Sequence, residues 1–432
     1  VLVALCLITV LAVAVFGFFA VSQRTMELSN RSFCYTRSVL LAEIGMEEAL
    51  QALNTSGYVW ATSGWTTATI SGVPTATRTL TGFLANKGIQ GTVKIQVQYY
   101  TALTPYTQPP VITSDGISQM PDGIQIDKQL KAYAKPVALF SNAVGAYTSC
   151  SFTINWVCPI KSYESHVSLD PNNSAQTRKY EAIVSAPTVT ANAATISGYV
   201  ATTGSAPTWT TGGTVTIANS VKSPDPLCIC TNASQNNFAI LSDNNLPGTY
   251  AGDPNTYINS TMGSSGATVP SRYVTGSNLS LTGSQTITIN GPTIIVVDGN
   301  FSIGGTAKIV ISAGGSLQIV VGGSITIQGN GIDNTATKLP NNLAVIGRSS
   351  GSYSSINNYT AQLQTSAPFY GVIYVPSGSL QVYGNTTVYG ALVANVMDQA
   401  YGNGAIYYDL DLRKTTFSAV TTPYYISQWL IN

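Results

Sequence analysis

The residues of this chain that could carry chemistry are four clustered cysteines, one histidine and a few acidic turns. Cys150 and Cys158 bracket a short segment, and Cys228 and Cys230 form a C-x-C. In an oxidising compartment such thiols are disulfide candidates. Four cysteines allow three pairings, and spacing alone does not choose among them. A Cys150–Cys158 bridge is the simplest; a Cys228–Cys230 bridge would close a strained ring, which keeps cross-pairing open. A zinc site needs two further ligands beyond a C-x-C, and no second C-x-C or nearby histidine supplies them. His166 stands between Glu164 and Asp170 with no second histidine to complete a metal site or triad. Gly347–Gly351 (GRSSG) matches the nucleophile-elbow pattern, which requires a following helix and a later histidine; no histidine follows position 166. Gly329–Gly331 precedes no helix, so it is not a dinucleotide loop. Asp170–Asn173, Asp243–Asn245 and Asp253–Asn255 lack the spacing and closing Glu of a calcium loop and read as Asp/Asn turns. No carboxylate pair is placed for acid–base work. The expectation is a protein that is not an enzyme and uses no cofactor and no metal.

Composition narrows the class. Only 9% of the 432 residues are charged and the net charge is +1, against a usual charged fraction near 25%. No electrostatic argument therefore points to nucleic acid or to an anionic membrane surface. The hydroxyl-rich, β-prone composition, with 24 tyrosines, suits an exported surface protein. Asn-x-Ser/Thr sequons are numerous and include those at Asn54, Asn172, Asn232, Asn259, Asn278, Asn300, Asn358 and Asn385. Tyr370, Tyr374, Tyr383, Tyr389, Tyr407 and Tyr408 are candidates for a sugar-binding face or for stacking between strands.

The element that organises the rest is N-terminal. Residues 1–21 are almost unbroken apolar sequence, and residues 22–54 continue without proline as an amphipathic pattern. This predicts one helix over 1–54, about 80 Å long, whose first half is long enough to cross a bilayer. The start on Val1, without Met or a basic leader, reads as a processed terminus. Val1, Leu2, Leu5, Leu7, Leu11, Val15, Phe16 and Phe18 are the expected packing residues of the apolar half. In the second half Val39, Leu40 and Leu41 spread the apolar surface over more than one face. A helix lying only on its own domain needs one stripe; one wedged between its domain and neighbouring helices needs two. Charge is sorted as well: Arg24, Arg31 and Arg37 come first, then Glu43, Glu47 and Glu48, candidates for contacts between staggered helices.

Behind the helix the pattern turns to strands. Over 55–140 a small β-rich head is expected, with Gly91–Tyr100 alternating Val93, Ile95, Val97 and Tyr99 on one face. Over 141–432 the chain repeats itself: Gly291–Gly305 (GPTIIVVDGNFSIGG) aligns with Gly315–Gly329 (GSLQIVVGGSITIQG) at a constant offset of 24. Ala307–Ser312 is another strand between them, and similar units recur at Thr188–Ala201, Thr286–Ile289, Leu343–Gly347 and Gly371–Val396. Strand–turn–strand units at a fixed offset are what a β-solenoid requires, since each rung buries its face only by stacking on the next. The expected fold is α+β, mostly β: a long helix, a β head, and a right-handed β-solenoid. A loop insertion is expected at about 223–277 and a C-terminal cap at about 410–432.

A mature N-terminus of some 20 apolar residues fused to an amphipathic helix ending near residue 53 resembles the type IV pilins and pseudopilins. Within that family, Ser38–Leu50 (SVLLAEIGMEEAL) resembles the sequence that closes this helix in the PilX-type subset. Ile160–Ser165 (IKSYES) and Phe369–Pro376 (FYGVIYVP), with NLAVIG before the latter, look like the β-helical region of its large members. The resemblance implies processing by a prepilin peptidase, N-terminal methylation and a single-pass stage in the inner membrane. It further implies assembly by the pilus machinery into an extracellular helical homopolymer. A minor or tip subunit, or an anchored adhesin binding glycan or a surface, is the alternative. Two positions depart from the family pattern: Leu5 stands where most major pilins carry Glu, and Ser22 where many carry Pro.

Overall fold

A computed structural model describes residues 2–55, 60–84, 88–100, 109–120, 123–152, 158–192, 194–203, 206–209, 215–222, 240–348, 360–400, 404–420 and 423–431. One long helix precedes a mostly β chain, as expected. The chain divides into two compact units, Val1–Val137 with Pro423–Asn432, and Ala138–Thr422.

In the first unit α1 (Leu2–Asn54) is continuous. Thr9, the one hydroxyl residue of its apolar half, is satisfied locally: its hydroxyl donates to the Leu5 carbonyl at 2.7 Å. The C-terminal half of α1 lies on an antiparallel sheet of β1 (Thr66–Ile70), β2 (Val73–Leu84), β3 (Gln90–Gln98), β4 (Val111–Gln119), β5 (Gln125–Pro136) and a sixth strand, Tyr424–Ile431. Alternation in β3 sends Val93, Ile95 and Val97 to the helix and Lys94 and Gln96 outward. The core is Leu41, Ala42, Met46, Ala49 and Ala52 against Val93, Ile95, Val97, Ile112, Leu130, Ala132 and Ala134.

The sixth strand corrects one expectation. Residues 410–432 read as a single cap for the repeat region, but Tyr424–Ile431 pairs antiparallel with β5. Tyr424 and Ile426 pack on the core of the first unit, and Asn54 at the end of α1 holds the strand's entry. The Asn54 amide donates to the Tyr424 carbonyl at 3.1 Å, and the Tyr424 N–H donates to the Asn54 side-chain carbonyl at 2.5 Å. An aromatic tail is apolar wherever it docks; the edge of β5, left open by the first five strands, decides its place.

In the second unit the strand ladders are parallel, and their offsets follow the sequence repeat. Val297 pairs with Val321, Phe301 with Ile325 and Ile303 with Ile327. One buried column runs through Tyr273, Ile295, Ile319, Val345, Ile373, Leu392, Val144, Val184 and Val200, each in register with the next. Chain order along this column is not monotonic. A first pass (Val144 to Lys222) begins beside the end of the second (Thr249 to Asp409). The two passes join where Thr387–Ala400 pairs with Val144–Phe152, and where Ala405–Asp409 pairs with Cys158–Tyr163.

The insertion expected at 223–277 is shorter than its turn signals suggest. Thr249–Gly252, Ser260–Met262 and Ser271–Thr275 are strands of the stack, short enough that their burial comes from neighbours rather than from their own pattern. The connector between the passes is described from residue 240 and is pinned to the second pass by two arginines. Arg348 pairs with Asp243 at 2.5 Å and bonds the Leu241 carbonyl; Arg272 donates to the Asp243 and Leu246 carbonyls at 2.9 and 2.7 Å.

Candidate functional site: the two faces of the N-terminal helix

The C-terminal half of α1 is two-faced because of which residues recur at helical spacing. Cys34, Ser38, Leu41, Ala42, Gly45, Met46, Ala49 and Ala52 are buried. They are mostly small, so the helix backbone comes close to the sheet. A Cβ on Gly116 of β4 would lie 2.0 Å from the Ser38 carbonyl oxygen. On the side away from the sheet Phe33 and Leu40 are 51% and 54% exposed and Ile44 is also exposed; Met26, in the stretch before the sheet, continues their line and is 60% exposed. In the apolar segment Leu2, Leu5, Leu7, Leu11, Val15, Phe16 and Phe18 are all exposed, while Val1 lies outside the described residues. By length and composition this helix could cross a membrane.

The six charges singled out by sequence separate into two groups. Arg37 is used within the chain, donating to the Phe83 and Ile89 carbonyls at 2.5 and 3.0 Å. Glu48 pairs with Arg78 of β2. Both tie the helix to its own sheet, so neither stands ready for a neighbour. Arg24, Arg31, Glu43 and Glu47 are exposed. Sequence could not sort the six, because the partners Phe83, Ile89 and Arg78 are more than 25 residues away.

The remaining chemistry-bearing residues are scattered. Cys150 is buried on Val144–Phe152, and Cys158 opens the strand Cys158–Tyr163. Cys228 and Cys230 lie outside the described residues, as do Ser349–Gly351 of the GRSSG match. Asp170 and Asp253 accept backbone N–H bonds from residues two positions on, at 2.9 Å each, as Asx turns do. Among the described residues no group of three His, Cys, Asp or Glu is placed to hold a metal ion.

Two repeated features follow from strand stacking. The Asn300 N–H donates to the Asn278 side chain at 2.7 Å, and the Ser324 N–H donates to the Asn300 side chain at 2.9 Å. The Ser302 hydroxyl bonds that of Ser280 at 2.8 Å. Two sequons 22 residues apart, at Asn278 and Asn300, are thus successive steps of one side-chain ladder. The tyrosines behave likewise: Tyr370, Tyr389 and Tyr407 stack at 4.5 and 5.0 Å between ring centroids. Both faces of Tyr389 are covered by tyrosine, the stacking between strands that was the second reading of these residues.

His166 belongs to the join between the two passes. Its ring lies 2.7 Å from Asp411, and its N–H donates to the same carboxylate at 3.0 Å. Ser165 donates its N–H to Asp409 at 3.1 Å and its hydroxyl to Asp411 at 3.0 Å. Arg413 pairs with Glu181 at 2.9 Å, and Glu181 pairs with Arg178 at 2.5 Å. Burial pushes the Asp411 carboxyl up, but bonds from His166 and Ser165 outweigh it and hold it below the usual range. Asp409 is almost fully buried, and burial pushes its carboxyl up to about 6 despite the N–H bonds from Ser165 and Asp411.

The Asp409 shift fixes a sign. The folded chain binds this proton more tightly than the unfolded chain, so stability falls as pH rises from about 4 and the loss is complete above about 6. The cost is on the order of 2–3 kcal/mol. Asp409→Asn is therefore expected to raise the melting temperature at pH 7.5, with the gain shrinking to nothing near pH 4 in thermal unfolding followed against pH.

A family described as a domain of unknown function (DUF7305) matches residues 232–415, all of it in the second unit. No curated protein matches the chain. Among solved structures, the competence-associated pilin ComZ from Thermus thermophilus aligns over 92% of this chain and 97% of its own. The TM-score is 0.29 and the sequence identity 10%, a likeness too slight to carry an argument.

Proposed function

We propose that this chain is a structural subunit of a type IV pilus-like extracellular filament, polymerising through α1. The observation that carries this reading is the second apolar face. A single-pass anchor accounts for exposed apolar residues up to about Val21. It gives no reason for Phe33, Leu40 and Ile44 to line the solvent side of a helix docked on a sheet from Cys34 on, nor for Met26 to continue their line before it. Burying them against neighbouring helices would stabilise an assembly by roughly 1 kcal/mol each. Before assembly the apolar half would sit in the inner membrane as a single span. The resemblance to pilins noted in the sequence supports prepilin-peptidase processing and export by a pilus machinery. The second unit, on this reading, is a β-solenoid displayed outward; its parallel ladders and the buried columns that run through them support that class.

The test is to shear cells expressing the chain and image the released material. Filaments containing this protein are expected. In a Phe33→Glu, Leu40→Glu variant they are expected to vanish while folded protein stays in the membrane. Wild-type cells that shed no filament, with the purified chain monomeric in mild detergent, would overturn the proposal.

A further inference from the structure

At about 100° per residue, Met26, Phe33, Leu40 and Ile44 lie within about 20° of one line along α1. Glu47 and Glu43 lie to one side of that line, about 40° and 80° away. Arg24 and Arg31 lie near the opposite line, some 160–180° round, in the stretch that projects beyond the sheet. Val10, Val13, Gly17 and Ala20 follow the same line as these arginines. Two parallel copies in the same orientation meet along opposite lines, so the basic line of one faces the apolar and acidic line of the next.

Spacing then fixes the shift. Arg31 and Glu47 are 16 residues apart, and Arg24 and Glu43 are 19, about 24 and 28 Å along a helix. One stagger near 25 Å, which is about 17 residues, lets both arginines reach a carboxylate, their long stems absorbing the difference. The same shift lays Val10, Val13, Gly17 and Ala20 of one copy level with residues 27–37 of the next, over Met26 and Phe33. The Arg24 stem then covers Leu40. Gly17 has nothing within 4 Å of its Cβ position, and its missing side chain leaves room for the Phe33 ring. The register that charge pairing sets also buries the apolar face.

We infer that a second copy of this chain docks on the Met26–Phe33–Leu40–Ile44 face in a parallel stagger of about 25 Å, with Arg24 and Arg31 of one copy on Glu43 and Glu47 of the next. This rests on the filament reading, and the experiment separates the two. Arg31→Glu and Glu47→Arg are each expected to lower sheared-filament yield by about tenfold or more, as like charges meet across a buried contact. The combined variant, which swaps the charges, is expected to recover the yield. Membrane-bound chain at wild-type level in every variant shows that folding is intact. Single variants that assemble as well as wild type, or a swap that rescues nothing, overturn the register while leaving the filament standing. Absence of filaments from wild type overturns both. A helical reconstruction reads the same quantity independently: contacting helices offset by 20–30 Å support the register, and no contact in that range removes it.

Discussion

Gly116→Ala is expected to detach the helix from its sheet, at a cost of more than about 3 kcal/mol. The added Cβ would lie 2.0 Å from the Ser38 carbonyl oxygen and 2.5 Å from the Ala42 nitrogen, and both belong to the helix backbone. Side chains rotate out of a clash, but a helix backbone moves only as a whole. Relief therefore means lifting α1 off β4, with loss of the packing of Leu41, Ala42, Met46 and Ala49. Gly45→Ala gives the contrast. Its Cβ would lie 2.1 Å from the Ser114 hydroxyl and 2.6 Å from a Val93 methyl, groups that can rotate. A smaller loss of about 1–3 kcal/mol is expected there. Thermal unfolding of the full chain in detergent, with hydrogen exchange read on β3 and β4, distinguishes the two. Equal effects from both glycines would contradict the close backbone approach.

The second large effect lies at the join between the two passes. Leu392 is fully buried and stands in register with Ile373 on one side and Val144 on the other. Truncating such a side chain inside a packed column leaves a cavity, and Leu392→Ala is expected to cost about 2–5 kcal/mol. Where the loss appears matters more than its size. Residues 144–152 and 182–201 are some 200 positions from Leu392 in sequence, yet they should lose amide protection together with 369–400. If the first pass kept its full protection while 369–400 weakened, the passes would be independent stacks and the continuous column would be wrong.

How far the sequence revealed this depends on where each residue's partner lies. The helix was legible end to end, because its signal, apolar spacing without proline, is local. The strands at 291–305 and 315–329 were legible together with their register, because stacking neighbours repeat the same pattern. The winding order was not: Val144 meets Leu392, and no local pattern marks a contact across 248 positions. Tyr424–Ile431 misled for the same reason, since its apolar character fits any open edge. At the candidate site, the excess of apolar residues at 39–41 pointed correctly to two faces. The sorted charges pointed only halfway, because Arg37 and Glu48 are claimed by Phe83, Ile89 and Arg78 of the same chain. Asp409 gave no signal at all; it closes the strand Ala405–Asp409, in register with Tyr163 and bonded by the Ser165 N–H, both more than 240 positions away.

If the chain polymerises through α1, the exposed face of that helix is covered by other copies of it. Helical reconstruction of sheared filaments from cells expressing the chain tests it most directly. Expected is a core of parallel helices in which Met26, Phe33, Leu40 and Ile44 are buried between copies. A filament whose contacts run through the β units, with this face of α1 left open to solvent, would contradict it.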